Sequence, residues 1–84
     1  MTLVEIFDRL CGKHVTRVDF KDGSFVLCHA PMLVDFPDSD APAEAWIEPF
    51  PDGLVLHFNA TRVSRNGRSG MGAQHEPFGN IASV

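Results

Sequence analysis

The chain has 84 residues, 44% of them hydrophobic and 21% charged, with a formal net charge of −4. That composition suits one small globular domain near the size at which a single core is only just sufficient. It excludes a membrane-spanning helix, because no apolar run approaches the ~20 residues that one needs.

The opening MTLVEIFDRL places Glu5 and Asp8 inside its apolar stretch and has no basic lead-in. It does not read as a signal peptide, and a cytoplasmic location is expected. Residues 2–11 read instead as a short amphipathic helix. Thr2-x-x-Glu5 makes a capping box, in which the hydroxyl takes an early backbone N–H and the carboxylate reaches back. Leu3, Ile6, Phe7 and Leu10 fall on one stripe, and Gly12 suits the left-handed position that ends a helix. Ten residues cannot hold a helix alone, so this one must pack on a sheet.

Residues 14–20 and 24–30 read as a β-hairpin around Asp22-Gly23. Taken as a two-residue type I′ turn, that pair sets Phe20 opposite Phe25, Val18 opposite Leu27 and Thr16 opposite His29. One face then carries Val18, Phe20, Phe25 and Leu27 toward the core, and Arg17, Asp19, Val26 and Cys28 face away. Val15 is out of phase by one residue, which a bulge near Thr16 or Arg17 would correct. Pro31 removes a ladder donor and so ends the second strand or marks an edge. Residues 37–43, PDSDAPA, have no periodicity and read as a loop.

In residues 44–49 the alternation returns. Ala45 and Ile47 share one face; Glu44, Trp46 and Glu48 share the other. Burying both glutamates unpaired would cost several kcal/mol, so Trp46 is expected to point outward beside two acids. Pro51-Asp52-Gly53 makes a turn into residues 54–59, where Leu54, Leu56 and Phe58 face inward and Val55 and His57 outward. Residues 65–75 are Gly-rich and weakly patterned and read as a mobile loop. Phe78, Ile81 and Val84, after Pro77, suit a 3₁₀ turn and a short closing strand over 80–84. The expected fold is mainly β: a helix capping a five-stranded, strongly bent antiparallel sheet or small barrel.

This order resembles the Sm-like family of small SH3-type barrels. The matching residues are Leu10 and Gly12 at the helix end, Val15, Val18, Phe20, Asp22 and Gly23 in the hairpin, and Pro77, Ile81 and Val84 at the close. The resemblance implies a homo-oligomer joined through strand edges, and RNA binding. However, HAPML after the second strand lacks the Asp-x-x-Asn pair with which RNA-binding members hold a base. The family's later Arg-Gly signature is only echoed, by Arg65-Asn66-Gly67-Arg68.

Charge is unevenly spread. From Asp22 to Thr61 there is no Lys or Arg, while Asp22, Asp35, Asp38, Asp40, Glu44, Glu48 and Asp52 contribute seven acids. Such a middle repels phosphate and favours a basic partner. His14, His29, His57 and His75, with Cys11 and Cys28, raise the question of zinc. Adjacent strand residues point to opposite faces, however, so Cys28 and His29 hardly share an ion on a regular strand. No metal is expected, and the two cysteines read as reduced thiols. No Gly-rich phosphate loop precedes a helix, and no nucleophile has an orienting pair, so neither a cofactor nor an enzyme is expected.

The expected function is therefore a non-enzymatic protein-interaction module, a small acidic inhibitor or adaptor in the format of phage-encoded inhibitors of host defence. Its face would be Trp46 with Glu44, Glu48, Asp38 and Asp40. The alternative is a nucleic-acid binder touching phosphates through Arg62, Arg65 and Arg68.

Overall fold

A computed structural model describes residues 1–36 and 45–84. The expected loop at 37–43 lies outside the described residues, as do Asp38, Asp40 and Glu44. Among the described residues no helix is long and apolar enough to cross a membrane.

The first element is α1 (Leu3–Leu10), started by the capping box: the Glu5 backbone N–H donates to Thr2 Oγ1, and the Thr2 N–H donates to the Glu5 carboxylate. Ile6 and Leu10 are buried, and Phe7 meets Phe36 edge-on at 5.7 Å. Leu3, expected on the buried stripe, is exposed because it precedes the turn that touches the sheet. Gly12 then takes φ +70°, and its N–H donates to the Val34 carbonyl, which ties the helix exit to the sheet.

Six strands follow: β1 (His14–Phe20), β2 (Phe25–Asp35), β3 (Ala45–Phe50), β4 (Gly53–Val63), β5 (Ser69–Pro77) and β6 (Ile81–Ser83), the last entered through a 3₁₀ turn at Phe78–Asn80. They form one curled sheet, a half-barrel, in the order β5-β4-β3-β2-β1-β6, and β2 also pairs with β4. The sheet corrects the expected five antiparallel strands in two ways. Residues 69–75, expected within a loop, belong to a full strand over residues 69–77, paired in unbroken register with β4 from Val55↔Pro77 to Val63↔Ser69. Strand β3 runs parallel to β2, with Val34 opposite Ala45 and Asp35 opposite Trp46.

The first hairpin also departs from expectation, by one residue. Val18 pairs with Val26 and Asp19 with Phe25. The loop is three residues, not two: the Gly23 N–H donates to the Phe20 carbonyl at 3.1 Å, and the Phe20 N–H donates to the Ser24 carbonyl at 2.9 Å. Gly23 takes φ +90°, and Asp22 keeps a negative φ while accepting the Ser24 N–H on its side chain. That is a type I turn followed by a left-handed glycine, the usual three-residue hairpin loop. A one-residue slip exchanges the faces of a strand. Val26 is therefore buried, while Leu27 is 53% exposed and Phe25 turns outward beneath the Arg17 guanidinium.

The β1–β2 register shifts between Val15 and Arg17, where the bulge was expected, and the extra residues lie on β2 between Leu27 and Met32. This bulge accommodates Pro31, so β2 continues through it to Asp35 instead of ending there.

The core fills the hollow of the half-barrel. Ile6 and Leu10 of α1 meet Val15, Val18, Phe20, Val26, Val34, Ile47, Leu56, Phe58, Phe78 and Ile81. Phe20 and Phe58 stack at 6.1 Å, and Phe78 in the 3₁₀ turn is among the largest fully buried side chains.

Candidate functional site

Alternation along β3 and β4 decides what faces solvent. Ala45 and Ile47 of β3, and Leu56 and Phe58 of β4, are fully or almost fully buried, so Trp46 and His57 must lie on the outer face. Pairing then sets four side chains in one row across the sheet: Asp35 opposite Trp46, Trp46 opposite His57, and His57 opposite His75.

The row is ordered. The Trp46 and His57 rings stack with centroids 4.9 Å apart and planes 1° from parallel. His57 and His75 follow at 5.9 Å, and Phe50 leans toward His57 at 6.5 Å. His57 Nε2 is enclosed and faces Glu48 Oε2, a contact that is an ion pair when the imidazole carries a proton; it has no aligned hydrogen bond. Glu48 thus fixes one edge of the histidine, and the histidine supports the indole. Even so, Trp46 remains 41% exposed and Phe50 45% exposed. A hollow of about 640 Å3 opens beside them, lined by Trp46, His57, Asn59, Ala73, Gln74 and His75. An aromatic platform edged by carboxylates can take an apolar or cationic group on its surface.

The residues proposed for nucleic acid sit elsewhere, around one separate hollow, and Arg62 is already engaged by partners within the chain. Arg62 is on the inner face of β4, not on a loop. Its Nη1 donates to Glu76 Oε2 at 2.8 Å, its Nη2 lies 3.3 Å from Asp22 Oδ2, and both Nε and Nη2 reach Ser24 Oγ. Its guanidinium also covers the Phe20 ring at 4.2 Å. Ser24, buried where the hairpin loop enters β2, donates from its hydroxyl and its N–H to Asp22. Those bonds, then the Arg62 charge, hold the Asp22 carboxyl below the usual range. Arg65 lays its stem against Gly23, and Arg68 is fixed by its backbone in the β4–β5 turn, to Ser64 and to the Asn66 side chain. Arg62, Arg65 and Arg68 all line a larger polar hollow of about 980 Å3 along the inner side of β5, with Asp22 and Ser24 beside Arg62.

Of the predicted protein-binding residues, Trp46 and Glu48 are brought together on the outer face. His57, His75 and Asp35 join them and were not among the predicted site residues. The outward position of His57 was legible, but its contact with Trp46 depends on register, and His75 fell in a segment read as loop. Among the described residues, no three His, Cys, Asp or Glu side chains converge as a metal set. No protein-family model matches the chain, and no curated protein or solved structure matches it significantly.

Proposed function

We propose that this chain is a non-enzymatic protein-interaction module, a small acidic inhibitor or adaptor, and that it binds through the outer face of β3–β4–β5. The observation that carries the reading is the exposed indole of Trp46, held flat against His57 on a face the core does not need. Tryptophan is enriched at interface hot spots, and a side chain already fixed in place loses less entropy on binding. Glu48 and Asp35 flank the indole, so the partner suited to it presents a basic surface around an apolar group. The fold reading is a small Sm-like, SH3-type barrel. Its support is the helix cap, the bent first hairpin and the 3₁₀ turn that leads β6 back to β1.

The nucleic-acid alternative retains Arg65 and Arg68 beside the large polar hollow, but Arg62 is spent on Glu76 and Asp22. Two exposed arginines on a chain of net charge −4 make a weak phosphate site.

Affinity capture with matched baits tests the choice. The proposal predicts a protein retained by the parent chain, lost with Trp46→Ala by at least ~2 kcal/mol of binding, and weakened by salt. Equal retention by both baits would sink it. Salt-sensitive RNA retention abolished by Arg65→Glu with Arg68→Glu would favour the alternative.

A further inference from the structure

Strand β5 is nine residues long, pairs with β4 along one side, and has no strand on its other side among the described residues. Proteins usually blunt such an edge with lysines, prolines, bulges or covering loops. Here Ser69 to His75 has no charged residue and no proline, Glu76 and Pro77 standing only at the strand's end, and the pairing with β4 shows no bulge. The large hollow described above runs along six consecutive residues of this edge, Ser69 to Gln74, so there is open space beside it. At its rim Met71 is 82% exposed, the most exposed large hydrophobic side chain described.

We infer that β5 pairs antiparallel with β5 of a second copy of this chain, about a two-fold axis through Ala73. The register follows from the strand itself, since Ala73 is its midpoint and only that centre engages all nine residues. Gly70 then faces Glu76 of the second copy, Met71 faces His75, Gly72 faces Gln74, and the two Ala73 residues meet. No like charges oppose one another, and small residues occupy the centre, where the two strands first approach.

The pairing gives Met71 a place. A two-fold axis perpendicular to the sheet keeps each side chain on its own face, and Met71 shares the outer face with His75. Met71 of one copy therefore continues the row Trp46–His57–His75 of the other, a thioether against an imidazole ring. On the inner face, Arg68 is the diagonal neighbour of the second copy's Glu76, within reach of a long side chain. The dimer also sets both Trp46 platforms on one side of a continuous sheet. It stands independently of what Trp46 binds.

Light scattering of the full chain across concentrations, with Ala73→Lys and Ala73→Cys, tests this. Ala73 is exposed, so lysine is compatible with the folded monomer, which circular dichroism checks. The expected parent mass is twice the 9.2 kDa of one chain, and Ala73→Lys should raise the dissociation constant at least about tenfold by setting two ammonium groups face to face. Ala73→Cys should form a covalent dimer on oxidation, because directly opposed residues of an antiparallel pair lie within disulfide reach. Ser69→Cys, which faces Pro77, should not, and the parent chain sets the background from Cys11 and Cys28. A monomer at about millimolar concentration, a larger ring, or a dimer indifferent to Ala73→Lys and not cross-linked by Ala73→Cys would overturn the inference. Should Ala73→Lys fail to fold, the cross-linking result decides.

Discussion

Two clusters built from similar parts lie five residues apart on β4, one on each face of the sheet. On the inner face Arg62 meets two carboxylates, a hydroxyl and the Phe20 ring. On the outer face His57 meets one carboxylate and the Trp46 ring. In the inner cluster each polar member has a partner in the chain, although Asp22, Ser24 and Arg62 also border the larger hollow, and the cluster staples the first hairpin to β4 and β5. The outer cluster is open, with the far side of the indole and Phe50 facing solvent. An aromatic beside a charge is thus not a functional signature in itself. What separates the two is whether the fold has already used the surface.

If this contrast is right, damage to the inner cluster should cost most. Arg62→Ala leaves Glu76, whose side chain is only 12% exposed, without its cation and opens a gap over Phe20. The expected loss is about 2–4 kcal/mol in urea unfolding. A loss below ~0.5 kcal/mol would mean that the network is ordinary surface charge.

A smaller effect tests the register that positions this network. Val26→Ala should cost about 1–3 kcal/mol, because Val26 is fully buried, whereas Leu27→Ala at an exposed position should cost under about 1 kcal/mol. The two-residue turn would reverse that order. Gly23→Val should cost more than ~1 kcal/mol, since φ +90° opposes a β-branched residue and a Cβ there meets Arg65 at 3.3 Å. A neutral result would contradict the left-handed glycine.

The smallest of these effects is set by pH. Ser24 and then Arg62 lower the Asp22 pKa, and Arg17 lowers that of Asp19. A carboxyl whose folded pKa is depressed adds stability above its unfolded value and loses it as pH falls through the folded one. Both carboxyls are solvent-accessible, so screening keeps the effect small. Urea midpoints should fall as pH drops from about 5 through the ordinary aspartate range near ~3.9 and below. The Asp22→Asn chain should show a shallower fall; an identical slope would place the acid sensitivity elsewhere.

Much of this architecture is legible in the residues, and the gaps have physical causes. The helix start follows from Thr2 and Glu5, and the outward Trp46 from alternation with Ala45 and Ile47. The hairpin register is not decided by Asp22-Gly23, which suits both a two-residue type I′ loop and a three-residue loop with a left-handed glycine. Strand β5 carries almost no local signal, because Ser-Gly-Met-Gly-Ala has neither alternation nor β-branched residues; its form comes from pairing with β4. The parallel β2–β3 pair is likewise a consequence of chain return, not of local pattern. Once β5 is misread, His75 cannot be placed beside His57, and Arg62 reads as a loop arginine. The site was therefore half legible: its centre came from alternation, and its supporting row required the sheet.

On the proposed function the Trp46 row serves binding, while the Arg62 cluster serves the fold. Thermal unfolding of Trp46→Ala, measured beside Arg62→Ala and combined with capture of the partner, tests it most directly. The expected result is a Tm within about 4 °C of the parent for Trp46→Ala with partner capture lost, and a far larger drop for Arg62→Ala. A fall of more than about 8 °C for Trp46→Ala, or capture that survives the change, would contradict it.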